Sequence, residues 1–241
     1  MSRGRDVRGL ILEEATRQFA AKGFDGTSLQ AIADEVDITK PSLLYHYSSK
    51  AELREQVLEA LFSHWNSVLP TILQAATSGD RRFEALTEEV ISFFCEDPDR
   101  ARLLMRETMD RPARMRELMQ EYLGPWMSIL ADYIQKGVDE GLIYEDLNPT
   151  AYIINVVHLV VGGIATSDVF GTLVSGDRSD SDSFVDDVEG VDTAQIEEMV
   201  RLARASLFVD QRPPDDDEAD DEVTSQSQAD EPVTEEDDDE Q

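Results

Sequence analysis

Apolar residues recur along this chain at three- and four-residue intervals, and no stretch alternates with the two-residue rhythm of a half-buried strand. That spacing constrains the fold more than any other feature, and it predicts an all-α protein. The first helix is expected over about 6–22, where Val7, Leu10, Ile11, Ala15, Phe19 and Ala20 share one stripe and Gly23 supplies a stop. A second opens at Thr27-Ser28 and runs to about 36, with Leu29, Ile32, Ala33 and Val36 inward. After a short break at Asp37-Ile38, Thr39 caps a third, with Pro41 in its first turn, where proline is tolerated, and an end near 47. Ser48-Ser49 then caps a fourth over about 50–66. Further helices are expected over about 68–77, 81–95, 98–110, 113–140, 149–172 and 193–209, with Pro125 kinking or splitting the longest.

Charge at first argues against a nucleic-acid partner. The chain has 52 Asp+Glu against 21 Lys+Arg, a formal charge of −31, whereas proteins that bind polyanions are usually basic. The distribution changes that reading. Residues 210–241 hold 16 acids and one base, while residues 1–55 hold 8 bases and 9 acids. The first segment is thus nearly neutral in an otherwise acidic chain. The tail, rich in Asp, Glu, Ser and Gln, has too few apolar residues to offset its ordering entropy and is expected to be disordered. Residues 175–192 read as a mobile acidic loop. Abundant acid with scarce lysine resembles the proteins of salt-loving archaea. Cys95 is the only cysteine, so no intrachain disulfide forms. The longest apolar run, 151–165, contains Asn155 and His158 and is too short to span a bilayer. The expectation is a soluble cytoplasmic protein without a membrane partner.

Three short helices at the N-terminus, two of them joined by a tight break, suggest a helix-turn-helix. The second helix packs through small and apolar groups. The third presents Thr39, Lys40, Ser42, Tyr45 and His46, the polar and aromatic types that suit a groove. Thr27-Ser28-Leu29-Gln30-Ala31-Ile32-Ala33, then Ile38-Thr39-Lys40-Pro41-Ser42-Leu43-Leu44-Tyr45-His46-Tyr47, then Ser49-Lys50-Ala51-Glu52-Leu53 resembles the N-terminal domain of the TetR/AcrR family. That family's pattern runs Thr-x-x-x-x-Ile-Ala, then Val-Ser-Lys-Gly-Ser-Leu-Tyr-Tyr-His-Phe, then Ser-Lys-x-x-Leu. The resemblance covers residues 5–65, with the helix-turn-helix at 28–47.

The resemblance implies roles. Thr27 and Ser28 fall where the family's second helix meets a phosphate, which suits the orphan N–H groups there. Thr39, Lys40, Pro41 and Ser42 fall where its recognition helix enters the major groove, with Lys40 reaching a guanine edge or a phosphate. Tyr45 and His46 match contacts to backbone or bases, and Lys50 matches a lysine that clamps a phosphate. Leu44 replaces a phosphate-touching tyrosine, a contact Tyr45 is placed to assume. Asp37 replaces the usual turn glycine, so a left-handed backbone is expected there.

Residues 66–209 then resemble the family's C-terminal ligand-binding and dimerisation domain. The resemblance implies a homodimer that reads a palindromic double-stranded DNA operator and a small apolar effector that releases it. It implies no cofactor and no metal. Pocket candidates are Phe93, Phe94, Met105, Met109 and Trp126, with Met127, Tyr133, Tyr152 and His158, since a Met- and aromatic-rich interior accepts varied apolar ligands. Taken singly, each of these side chains is better read as ordinary core. No HExxH, P-loop, Gly-rich nucleotide fingerprint or GxSxG is present, so an enzyme is not expected. The competing non-enzymatic reading is an interaction protein of the same shape that has lost sequence-specific DNA binding.

Overall fold

The computed structural model describes residues 6–75, 79–174 and 193–209. The acidic loop expected at 175–192 and the tail at 210–241 lie outside the described residues. The described chain is helical throughout: α1 (Val7–Gly26), α2 (Leu29–Glu35), α3 (Lys40–His46), α4 (Lys50–Ala75), α5 (Gly79–Cys95), α6 (Pro98–Asp110), α7 (Pro112–Tyr122), α8 (Gly124–Asp139), α9 (Pro149–Ala165), α10 (Ser167–Val174) and α11 (Thr193–Ala205).

Capping chemistry sets the boundaries of the first three helices. The Asp6 carboxylate accepts from the Gly9 N–H, the Ser28 hydroxyl from Ala31 and the Thr39 hydroxyl from Ser42. Helical geometry in α1 breaks at Gly23, whose φ is 74° and whose ψ is 173°, so its last residues form a turn. Asp37 takes the left-handed conformation expected of it, with φ 59°. That allows the Ile38 N–H to reach back 2.9 Å to the Ala33 carbonyl and tightens the α2–α3 turn. Ser49 caps α4 by accepting from the Glu52 N–H at 3.1 Å, while the Glu52 carboxylate accepts from Ser48.

Two helices, α4 and α9, depart from the sequence expectation, and a third divides as Pro125 led one to expect. α4 continues through Pro70, where a break had been expected near 67. An interior proline removes one backbone hydrogen bond and costs about 3 kcal/mol. The buried face formed by Leu53, Val57, Leu58, Phe62 and Leu69 offsets that loss. The long helix expected over 113–140 divides at Leu123, which places Pro125 in the first turn of α8. The helix expected over 149–172 breaks at Thr166, whose hydroxyl turns back to the Gly162 carbonyl at 2.7 Å. A Cβ on Gly163 would lie 2.7 Å from the Met199 sulfur, so this glycine permits the close approach of α9 and α11.

The core forms three clusters. The first joins α1–α4, the N-terminal head, to Leu103, Met115 and Leu118, and so crosses into the bundle of the later helices. The second gathers Phe94, Val160, Ile164 and Met199, and the third Phe83, Ile134, Ile143 and Leu207. A short antiparallel bridge between Ile143 and Phe208 pins the end of the bundle to the α8–α9 loop.

Candidate nucleic-acid interface and sensor cavity

α3 is held by its inward face and open on the other. Leu43 and Tyr47 have no exposed surface, whereas Tyr45 is 88% exposed. Lys40 and Pro41 are also exposed, and Ser42 and His46 half-exposed. The Tyr45 ring meets the His46 ring edge-on at 5.5 Å. Thr39 serves the backbone as N-cap and remains exposed beside Lys40. Ser28, at the start of α2, is likewise exposed and capping. Leu44 is 37% exposed. Orientation is fixed by Tyr47, whose hydroxyl donates to the Arg8 carbonyl and accepts from Arg8 Nε, each at 3.3 Å. Arg8 also donates to Gln56 on α4, so α1, α3 and α4 are braced together.

Two of the residues assigned to phosphate contact are engaged inside the protein. Thr27 is 3% exposed, and its hydroxyl is shared between the carbonyls of Gln18 at 3.0 Å and Gly23 at 2.8 Å. Its side chain therefore closes the α1–α2 turn and does not itself reach a phosphate, which leaves the expected contact to the N–H groups at the start of α2. Lys50 is half-buried, with its ammonium donating to the carbonyls of Phe24 at 2.7 Å and Thr27 at 2.8 Å and lying 4.3 Å from the Phe24 ring centroid. It fastens α4 to the same turn. The signal was available in the sequence: Phe24-Asp25-Gly26 reads as a turn, and turns leave carbonyls for a cation to bind.

The head joins the bundle through ions. Arg54 pairs with Glu107, while Glu55 accepts from Arg111 at 2.6 Å and from Arg114 at 2.7 Å. Burial pushes the Glu55 carboxyl upward, but the two guanidinium partners outweigh it and hold the group below the ordinary carboxylate range. None of these pairings was legible in the sequence, because each joins residues more than fifty positions apart.

A cavity of about 230 Å³ lies where the three clusters meet. Of the pocket candidates, Phe94, Trp126, Met127, Tyr133 and Tyr152 line it. The other four do not. Phe93 stacks on His64 at 4.3 Å, under the Arg100 guanidinium. Met105 packs against the second core cluster. Met109 is 71% exposed, and His158 lies on the outer face of α9. Helical phase explains these errors, since α6 turns Leu104 toward the cavity and Met109 away. Sequence reasoning missed Phe62, Trp65 and Leu69, an i, i+3, i+7 face of α4, and also missed Arg82. Burial pushes the Tyr152 phenol upward, and its hydroxyl donates to the Ala203 carbonyl at 2.8 Å. Cys95, buried outside the cavity, has a thiol pushed up to about 11, so it stays protonated at neutral pH. No group of three or more metal-ligating side chains occurs among the described residues, and no described helix is long and apolar enough to cross a membrane.

This arrangement has clear relatives. Residues 11–57 match the family model described as "Bacterial regulatory proteins, tetR family", and residues 80–186 match "Tetracyclin repressor-like, C-terminal domain". The biofilm operon icaADBC HTH-type negative transcriptional regulator IcaR of Staphylococcus aureus is 32% identical over 94 residues, 39% of this chain and 49% of that protein. The chain thus spans about half the length of the curated relatives it matches. Among solved structures, the ketosteroid transcriptional regulator KstR2 of Mycobacterium tuberculosis superposes with a TM-score of 0.64 at 17% identity, covering 87% of this chain and 97% of that one. The fatty acid degradation regulator FadR of Bacillus halodurans gives 0.59 at 11%, covering 84% and 96%. At these identities the structural likeness is one of fold. With both halves matched by its own family models, over the head and over the bundle, the chain belongs to the TetR family.

Proposed function

We propose that this protein is a transcriptional repressor that binds a palindromic operator as a homodimer and releases it when a small effector fills the bundle. The observation that carries this reading is the α3 surface: Lys40, Pro41 and Tyr45 are exposed on a short helix braced from behind by Tyr47 and Arg8. A groove reader needs that combination of an open polar face and a fixed orientation. Repression agrees with the negative regulator to which 94 residues of this chain are similar. Ser28 and Thr39 present helix N-termini to phosphates.

The proposed switch runs along α4. Phe62, Trp65 and Leu69 of this helix line the cavity, and Lys50 and Arg54 near its N-terminus hold the α1–α2 turn. An effector that prefers a shifted α4 changes the separation of the two recognition helices, which must lie about 34–36 Å apart to read successive major grooves. Coupling of about 1–3 kcal/mol is the usual scale for such a switch. The acidic body and nearly neutral head suit a cytoplasm of concentrated salt, where counterion release adds little affinity.

The test is a mobility shift with DNA flanking the gene, run at molar potassium chloride with wild type and Lys40→Ala. Retarded DNA that Lys40→Ala fails to retard supports the regulator. If neither protein retards any upstream fragment, with or without extracted metabolites, the regulator reading is lost and an interaction protein replaces it.

A further inference from the structure

One helix separates the cavity from the outside. Tyr152 and Val156, one turn apart on α9, line the cavity and also line a groove between α9 and α11 on the outer surface. Val157 lines the cavity and is itself exposed. Apart from Met119 of α7, every other lining residue is buried or half-buried. On the α9 side the partition between cavity and water is thus a single layer of side chains. The Tyr152 hydroxyl, donating to the Ala203 carbonyl, fastens that layer to α11.

The outer side of this wall is uncharged. The groove is bounded by Leu159 of α9 and by Leu202 and Ser206 of α11, and no charged side chain lines it. Glu198 and Arg201, which flank it on α11, are paired with each other. In a chain of net charge −31, such a strip is where two copies meet with least repulsion. Gly162, one turn beyond His158, supplies a second observation. A Cβ at this position would meet nothing within 4 Å. Nothing in the protomer therefore requires glycine there, a residue that weakens a helix interior relative to alanine. A second helix passing close to α9 does require it.

The geometry points to a ligand cavity that is completed by a second copy of this chain. The α9 strip of one protomer covers Val157 and the outer groove of the other and seals the wall, leaving the Met119 side as the way in. This rests on the sensor and homodimer readings above and joins them. Water reaches Val157 in a lone protomer, and association removes it from the lining, so an apolar ligand is held more tightly in the dimer. Ligand binding and self-association are then linked, and each strengthens the other. Release of DNA takes place in an intact dimer, through the separation of its heads.

The uncharged fluorophore N-phenyl-1-naphthylamine is titrated into the full chain at molar potassium chloride. Energy transfer from Trp65 and Trp126, which line the cavity and are the chain's two tryptophans, reads its binding. Self-association is followed by sedimentation with and without the dye. The expected result is one dye per protomer, bound about tenfold tighter by dimer than by monomer. By linkage over two sites, saturating dye then tightens the dimer about a hundredfold. Gly162→Leu and Leu202→Glu alter no cavity residue. Each should give a monomer with wild-type helix content that binds the dye about tenfold more weakly. Monomers that bind it as tightly as the dimer overturn closure by the partner and leave the sensor cavity standing. Dye that weakens the dimer also overturns it, because the dye then occupies the outer groove. Variants that both remain dimeric overturn the choice of face. If wild type binds no dye, the sensor reading falls and this inference falls with it.

Discussion

Arg54 on α4 and Glu107 on α6 share one carboxylate oxygen, with Nε donating at 2.7 Å and a terminal guanidinium nitrogen lying at 2.6 Å. Their side chains are 12% and 2% exposed. The second Glu107 oxygen is buried without a hydrogen bond and has Arg111 at 3.7 Å. The Arg54 guanidinium also lies 4.5 Å from the Phe24 ring centroid. One arginine therefore touches the turn before α2, the linking helix and the bundle. Removing one partner of a buried pair is worse than removing both, because a lone charge stays desolvated. Arg54→Met should cost about 3–5 kcal/mol and lower Tm by roughly 10 °C in a domain of this size. Arg54→Met with Glu107→Leu should recover most of that loss. Thermal melts by circular dichroism decide it, and a single-variant shift below about 2 °C would refute the role.

Lys50 gives a second prediction, because its two possible roles leave different marks. A phosphate clamp contributes about one unit to the salt slope of DNA binding and little to stability. A clasp on the Phe24 and Thr27 carbonyls contributes stability instead. Lys50→Met should cost about 2 kcal/mol of unfolding free energy and leave the salt slope of any residual DNA binding unchanged. A slope that drops by about one unit per protomer at constant Tm would restore the phosphate assignment.

What the sequence disclosed and what it withheld follow from the range of the interactions. The Ser28 and Thr39 caps and the left-handed Asp37 each depend on neighbours within a few residues, and all were readable. The internal partners of the Thr27 and Lys50 side chains were not read, because the turn was visible locally but which side chains occupy its carbonyls, 4 to 26 residues away, is set only by the fold. The cavity was half legible. Composition marks α8 and α9 as aromatic and apolar, but only helical phase against neighbouring helices separates Leu104, which faces the space, from Met109, which faces water. Pro70 misled because local propensity predicts a break that tertiary packing overrides.

The Glu55 cluster makes the junction sensitive to acid. Its carboxyl is held below the ordinary value by Arg111 and Arg114 despite partial burial. A depressed folded pKa contributes stability above the unfolded value of about 4.3 and loses it as pH falls through the folded value. Wild type should therefore be more stable than Glu55→Gln at pH 6, with the gap closing between pH 5 and pH 3. Urea melts at three pH values measure it. A gap that stays constant to pH 3 would show that the pairing contributes nothing.

DNA affinity should depend only weakly on salt. Of the described bases in the head, Arg8, Arg17, Lys50 and Arg54 have internal partners, while Lys22 and Lys40 are exposed, Lys40 in the first turn of α3. Each neutralised phosphate contributes about 0.9 to the slope of log K against log salt. A dimer with one or two such contacts per head should show a slope of about −2 to −4. Lys40→Ala should reduce its magnitude by about two, one per protomer. Titrations between 0.5 and 2 M potassium chloride test this, and a slope steeper than about −8 would mean that cations outside this set carry the binding.

The outer face of α9 supplies the last prediction. From Pro149 to Ser167 the chain has no Asp, Glu, Lys or Arg, although the body around it is acidic. Ile154 is 44% exposed and Val157 37%, beside exposed His158, and Leu202 of α11 is 45% exposed. An uncharged apolar face on so acidic a surface is expected to be covered by a second copy across a two-fold axis. Ile154→Glu places two carboxylates near that axis and should convert dimer to monomer in sedimentation. The monomer's melting temperature should shift only by the lost association, because the side chain leaves no cavity in the protomer core. Operator affinity should fall by orders of magnitude, since each head then binds a half-site alone. A variant that sediments as a dimer and still retards DNA would place the interface elsewhere.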